Sequence, residues 1–409
     1  MRPVATLPTG ARDVLPLEAA ELRAAEDALR ATLRLYGYRE VRTPTLEFAA
    51  ALERGAGGTL EHVFRLFDED GRVLVLRPEL TIPVARLIAT RLTDHPGPLR
   101  AWYTGSAFRA PQHGVPAPSE HRQTGAELVG VDGPEADAEV LSLLGAALRA
   151  AGLRDWRIGI GDVSLTAAVL DGLGVPAEAR ERLGATLAAR DLVGWNTIAM
   201  AQDLPDPQRD LLARLPLLRG GTDVLDRVVA AVPTAAPAAD RMRALLAVTD
   251  LTTDELLVDL GILRDWPYYT GLVLEAYAHG VGEPIAQGGR YDSLSARFGH
   301  FRAAVGWSVE LELLHRALAH EAAAPADHVR GVVLCGGLGA HAGLASALRA
   351  EGVPVVCLPD GDTRAEAVAA ADGWRFVVAP EGGEMVVLDR SSGVRLRTDD
   401  PVAMVVAAP

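Results

Sequence analysis

The sequence predicts an α+β chain: an antiparallel sheet flanked by helices, with a helical insertion and a small C-terminal α/β domain. Three stretches predict it. Trp102 to Gly130 reads as two strands joined by a long, proline-rich loop. From about 165 to 258 the texture changes to Ala, Leu, Arg and Asp, with Pro176, Pro205, Pro216, Pro233 and Pro237 punctuating helical segments. Residues 330–400 alternate strand and helix patterns. The organisation that follows is a core over 1–320, a linker at 321–328 and a C-terminal domain over 329–409.

The elements follow in order. Residues 1–16 are rich in turn formers. Leu22, Leu29, Leu33 and Tyr36 recur at helical spacing over 17–36, and Gly37 ends that helix. Tyr38 to Phe48 alternates as a strand broken by Pro44. Val63–Phe67 and Val73–Leu76 flank Asp70-Gly71, a hairpin signal. LRPELTIPVARLIATRL leads from a loop into a helix with Pro83 in its first turn. Leu141, Leu144, Leu148 and Ala151 share one face of a helix over 134–151, and 157–163 is strand-like. Strand texture returns at Tyr268–Tyr277 and in QGGRYDSL, followed by a helix from about Ser308. GGLGAHAG, Gly336 to Gly343, spaces as GxGxxxG and reads as a strand-to-helix connection rather than a nucleotide loop.

Composition removes several chemistries. The net charge of −14 argues against a polyanion as the main partner. All 40 basic residues are arginine, so there is no P-loop lysine and no lysine for a pyridoxal phosphate Schiff base. Cys335 and Cys357 sit in apolar strand-like runs and offer no zinc site, and the ten histidines show no helical metal-site spacing. With no long apolar run and no apolar signal core in MRPVATLPTGARD, a reduced, cytoplasmic protein is expected.

On the first strand of the 102–130 stretch Gly105, Ala107 and Arg109 share a face, where small residues leave room and Arg109 is left to meet an anion. On the return strand Gln123, Gly125 and Glu127 do the same. An arginine opposite an amide and a carboxylate suits a zwitterionic ligand. From these residues alone a solvated face with an incidental ion pair is the simpler reading.

Five blocks taken together resemble histidyl-tRNA synthetase, a class II synthetase: PTGARDVLP (8–16), GYREVRTPTLE (37–47), RPELT (77–81), FR with QTGAELVG (108–130), and ILRDWPYYTGLVLE with GGRYDSL (262–294). The resemblance covers roughly 1–165 and 255–318 and implies a histidine pocket. Glu79, Thr81 and Gln123 take the α-ammonium, Glu127 and Tyr269 the two imidazole nitrogens, and Arg264 the carboxylate; Tyr268 and Arg109 complete the set. Plainer roles stand beside these: Glu79 charging a helix N-terminus, Tyr269 in the core, Glu127 paired with Arg109. By the same resemblance Arg109 grips the α-phosphate of ATP, but the other ATP contacts are replaced. Pro111 and Pro116-Ala117 stand in the loop, Leu313 stands where a helix arginine belongs, and Glu310 replaces a glycine.

A pocket kept for histidine and stripped for ATP resembles the regulatory subunits of ATP phosphoribosyltransferase. That resemblance implies a chain without catalysis or cofactor of its own, needed by a short-form catalytic partner that uses Mg2+ in the first step of histidine biosynthesis. It implies feedback by histidine, a class II-type dimer with its contact near 37–55, and a hetero-octamer with the partner. tRNA is not an expected partner, because residues 330–409 hold seven arginines against ten carboxylates where an RNA-reading surface is basic. The competing readings are a divergent active histidyl-tRNA synthetase and a stand-alone histidine-binding sensor.

Overall fold

The structure, a computed structural model, describes residues 7–58, 60–110, 118–262, 269–321, 329–359, 362, 364–371 and 373–408. The chain forms two units: Met1–Asp13 with Glu21–Glu321, and Val14–Ala20 with Ala322–Pro409.

Helix α1 (Pro16–Leu35) buries Ala25, Leu29 and Leu33, the stripe its spacing predicts, and Gly37 turns the chain at φ +80°. Pro44 splits the next predicted strand between two sheets. β1 (Arg39–Glu40) joins the large sheet and β2 (Leu46–Phe48) a small one. Helix α2 (Ala49–Ala56), which the sequence reading did not include, follows. β3 (Arg65–Phe67) and β4 (Val73–Leu76) form the predicted hairpin and complete the small sheet in the order β2-β4-β3. Helix α3 (Thr81–Arg91) carries Pro83 in its first turn, as expected.

The large sheet adds β5 (Leu99–Phe108) and β6 (Glu120–Val129), the two strands of the central stretch. After α4 (Pro134–Ala150) come β7 (Trp156–Asp162) and the insertion helices: α5 (Val163–Gly172), α6 (Ala177–Ala188), α7 (Leu192–Met200), α8 (Asp206–Arg214), α9 (Thr222–Ala231) and α10 (Ala236–Val248). The insertion is not purely helical. β8 (Arg219–Gly220) and β9 (Leu256–Asp259) extend the sheet from it. Two residues are too few to carry a strand pattern, and LLVD is a short apolar run that periodicity does not assign.

β10 (Leu272–Ala278), β11 (Ala286–Arg290) and β12 (Ala304–Glu310) close the sheet in the order β1-β5-β6-β12-β11-β10-β7-β9-β8. Only β1–β5 and β7–β9 pair in parallel among these neighbours. The helix expected from about Ser308 begins three residues later, as α11 (Leu311–Glu321). Val305, Trp307 and Val309 are buried in alternation, a strand period that the apolar run hid.

One face of the sheet packs on α4. Trp102, Ala126, Leu128, Leu274 and Trp307 join Leu141, Leu144 and Leu148 in the main core, and Trp307 Nε1 donates to the Val140 carbonyl at 3.0 Å. Large aromatic area is buried there with its polar atom satisfied. On the other face Tyr103, Ala107 and Val129 pack with Val75, Leu80 and Ile82 in a second cluster, which leaves the middle of that face for the site.

The second unit runs β13 (Val329–Cys335), α12 (Gly337–Ala350), β14 (Val355–Leu358), α13 (Ala365–Ala371), β15 (Trp374–Glu381), β16 (Glu384–Asp389), β17 (Val394–Thr398) and α14 (Pro401–Ala407). Its sheet has the order β14-β13-β15-β16-β17. After the βαβαββ run from β13 to β16 come β17 and α14; Val394–Arg397 alternates apolar and basic residues, and all four are exposed. GGLGAHAG joins β13 to α12, with Gly336 at φ +106°. Cys335 and Cys357 are free thiols, partly buried against the apolar clusters of this unit. Among the described residues no helix is long and apolar enough to cross a membrane, and no group of three or more His, Cys, Asp or Glu is placed to hold a metal ion.

Candidate functional site

Across the face turned away from α4, register lines up residues from neighbouring strands. One row reads Ala101, Glu127, Gly306, Gly289, Val273, Gly161. The next reads Tyr103, Gly125, Ser308, Gln287, Glu275, Gly159, and a third Gly105, Gln123, Glu310. Glycines in the floor let groups from adjacent positions lie flat on the sheet. The Glu127 carboxylate covers Gly306, the Tyr103 ring covers Gly125, the Tyr269 ring covers Gly289 and the Arg77 guanidinium covers Gly105. This corrects one expectation. The room beside Gly105 and Gly125 is filled by the protein's own side chains, with Arg77 fixed by bonds to the carbonyls of Ser106 (2.9 Å) and Thr43 (2.8 Å).

Glu127 is 1% exposed, and both of its oxygens accept from phenols, one from Tyr103 at 3.1 Å and the other from Tyr291. Burial pushes its carboxyl up to about 8, against the two tyrosines, which pull it down. Tyr103 continues the chain to Thr81 Oγ1 at 3.3 Å. Glu79 caps α3: its oxygens accept from the backbone N–H groups of Thr81 (2.6 Å) and Ile82 (2.8 Å). The plainer role anticipated for Glu79 is therefore real, yet burial still pushes its carboxyl up to about 7. A carboxylate oxygen with one backbone donor keeps acceptor capacity for a ligand cation.

Gln123 is 4% exposed, and its Oε1 finds no hydrogen-bond partner among the described residues. A buried amide oxygen left so costs roughly 1–3 kcal/mol, which a donor from a ligand removes. Arg109 is not left waiting for an anion. Its Nη1 lies 3.3 Å from Glu310, whose other oxygen is 3.5 Å from His121 Nδ1. Glu127 is thus not the partner of Arg109; the phenols hold it.

A methyl group at 306 would overlap the Glu127 carboxylate and the Ala126 carbonyl. Gly306→Ala is expected to lower stability by about 1–3 kcal/mol, the usual range for overpacking. Thermal and urea melts check it, and wild-type stability would reject the packing described.

Comparison with known proteins decides the family. The chain is 40% identical to the ATP phosphoribosyltransferase regulatory subunit of Moorella thermoacetica, over 89% of this chain and 94% of that one. It belongs to the ATP phosphoribosyltransferase regulatory subunit family. The regulatory subunit of Symbiobacterium thermophilum is 38% identical over 85% of this chain and 90% of its own. Residues 10–314 match the family described as Histidyl-tRNA synthetase, so this regulatory-subunit chain is a histidyl-tRNA synthetase-like class II paralogue. A Bacillus halodurans structure described as an ATP phosphoribosyltransferase regulatory subunit/histidyl-tRNA synthetase superposes with a TM-score of 0.80 at 31% identity, covering 92% of this chain and 98% of that one. Histidyl-tRNA synthetase from Nostoc sp. PCC 7120, 20% identical with a TM-score of 0.81 over 98% of both chains, shares the fold.

In this regulatory-subunit chain Glu79, Thr81, Arg109, Gln123, Glu127 and Tyr269 stand around one sheet face. Arg264 and Tyr268 lie outside the described residues, as do Pro111, Pro116 and Ala117. Tyr269 precedes β10 rather than sharing a strand face with Gly271 and Val273; its place beside a small residue comes from Gly289 on the neighbouring strand. Leu313 is 7% exposed in the main core. Sequence reading missed Arg77, Tyr103 and Tyr291. Tyr103 alternates with Gly105, and Tyr291 sits inside the quoted GGRYDSL, so both signals were present; what they lacked was the long-range pairing that sets them on Glu127.

Proposed function

We propose that this chain is the non-catalytic regulatory subunit of a histidine-responsive ATP phosphoribosyltransferase. It acts with a short-form catalytic chain in the first step of histidine biosynthesis and takes part in feedback inhibition by histidine. In this reading Glu79, Thr81 and Gln123 take the α-ammonium, Glu127 and Tyr269 the imidazole, and Arg264 the carboxylate, with Arg109 and Tyr268 completing the set. The chain carries no cofactor; Mg2+ belongs to the catalytic partner. Self-association as a class II-type dimer, a hetero-octamer with the partner and a cytoplasmic setting complete the proposal.

The observation that carries it is a contrast on one face. Gln123 keeps a buried oxygen without a partner among the described residues, while Arg109, the phosphate-gripping residue by resemblance, is tied to Glu310. A synthetase needs that arginine for the charge that develops on phosphate, and loss of such stabilisers abolishes turnover in practice. The isolated chain is therefore expected to give no histidine-dependent ATP–pyrophosphate exchange and to co-purify with a catalytic phosphoribosyltransferase chain. Exchange with appreciable turnover would make it an active synthetase instead. Histidine binding with no associating catalytic chain would make it a stand-alone sensor.

A further inference from the structure

Glu310 ends β12, where register places it opposite Gln123, itself paired with Gly105. Its side chain is 13% exposed, and its two oxygens face different partners, the Arg109 guanidinium (Nη1) at 3.3 Å and the His121 ring at 3.5 Å. Arg109 is 42% exposed. The face therefore presents a cation at its mouth whose inner side already has a resident anion, beside Gln123, whose oxygen has no partner among the described residues.

An anion arriving here has to draw Arg109 away from Glu310 and then lie against that carboxylate. Half-buried like charges are screened less than exposed ones. The repulsion scales with the charge brought in: a carboxylate brings one, and a phosphate about 1.5–2 at neutral pH. An amino acid also carries an ammonium on the adjacent carbon, which Glu310 attracts.

We propose that Glu310 is a specificity residue, a resident anion that admits ligands ending in an α-amino carboxylate and rejects those that carry phosphate or pyrophosphate at that end. The admitted half of this statement rests on the histidine reading of the pocket; the rejected half does not.

Inorganic pyrophosphate and L-histidine, titrated separately into the full chain by calorimetry, test the two halves. Glu310→Gln keeps the shape and removes the charge. It is expected to bind pyrophosphate at least about tenfold more tightly than wild type, by freeing a guanidinium for charge-assisted bonds. Histidine affinity should change by less than about threefold, since the variant removes both the repulsion of the ligand's carboxylate and the attraction of its ammonium. Adding Arg109→Gln should cancel the pyrophosphate gain. Thermal melts confirm folding, and Glu310→Ala serves if the glutamine variant is unstable. Equal pyrophosphate binding by wild type and both variants overturns the proposal, as does a gain that survives loss of Arg109. A pyrophosphate gain in a chain that binds no histidine overturns the pocket reading and supports Glu310 as the anion-rejecting residue.

Discussion

Glu127→Ala is expected to raise the dissociation constant for histidine at least a hundredfold in calorimetry on the isolated chain. The carboxylate lies over Gly306 and is clamped by Tyr103 and Tyr291, so in the proposed pocket it would meet an imidazole N–H without further ordering. Removing it leaves that N–H without its acceptor and takes one buried partner from each phenol. Each buried orphan costs roughly 1–3 kcal/mol, and about 2.7 kcal/mol already corresponds to a hundredfold. A site built to bond a polar ligand discriminates steeply for this reason. Glu127→Gln, which keeps the volume but puts a donor toward one of the phenols, should lose less. A loss under threefold for the alanine variant would remove Glu127, and with it the proposed imidazole end, from the ligand's surroundings.

The second large effect is on stability against pH. An unfolded glutamate ionises near 4.5, whereas burial keeps Glu79 protonated to about 7 and Glu127 to about 8 in the folded chain. Between those limits the folded state holds more protons than the unfolded one. The stabilisation from these two groups is complete below pH 4.5 and is lost as pH rises through 7 and 8. Asp137, raised to about 6 by burial despite Arg290, adds to the same slope. One pKa unit corresponds to about 1.4 kcal/mol, so the loss amounts to a few kcal/mol. The melting temperature of the unliganded chain is expected to fall by roughly 5–10 °C from pH 5 to pH 8.5. Glu127→Gln should flatten the curve, and histidine, supplying cationic partners, should raise the melting point more at pH 8 than at pH 5. A flat wild-type profile would show that these carboxylates ionise freely in the fold.

Much of this molecule was legible one strand or helix at a time. The alternation in 102–130 and the hydrophobic stripe of 134–151 are local patterns, and β5, β6 and α4 follow them. Resemblance added which side chains meet, placing Glu79, Thr81, Gln123 and Glu127 near one another before any register was known. What stayed hidden depends on distant pairing. Glu310 faces Arg109 only because β12 lies beside β6, and Tyr269 reaches its glycine across β10 and β11. The same limit explains the early start read for α11: Ser308 to Glu310 belong to β12, whose two faces only its neighbours define. Glu79 shows the opposite case, where the helix-end role foreseen from local sequence is met by the first N–H groups of α3.

The β6–β12 seam also sets a schedule. Val129 pairs with Ala304, 175 residues further along the chain. A ribosome adding roughly 5–20 residues per second takes on the order of ten to thirty-five seconds to cover that distance. Throughout that time β6 has β5 on one side and a bare edge on the other, with Ala126 and Leu128 uncovered by Trp307. Neither Gln123 nor Glu127 acquires its floor until three-quarters of the polypeptide has been made. Premature termination within the insertion should therefore yield fragments that ligand cannot rescue and that chaperones must hold, and a nascent chain completes this face only in the last stage of its synthesis.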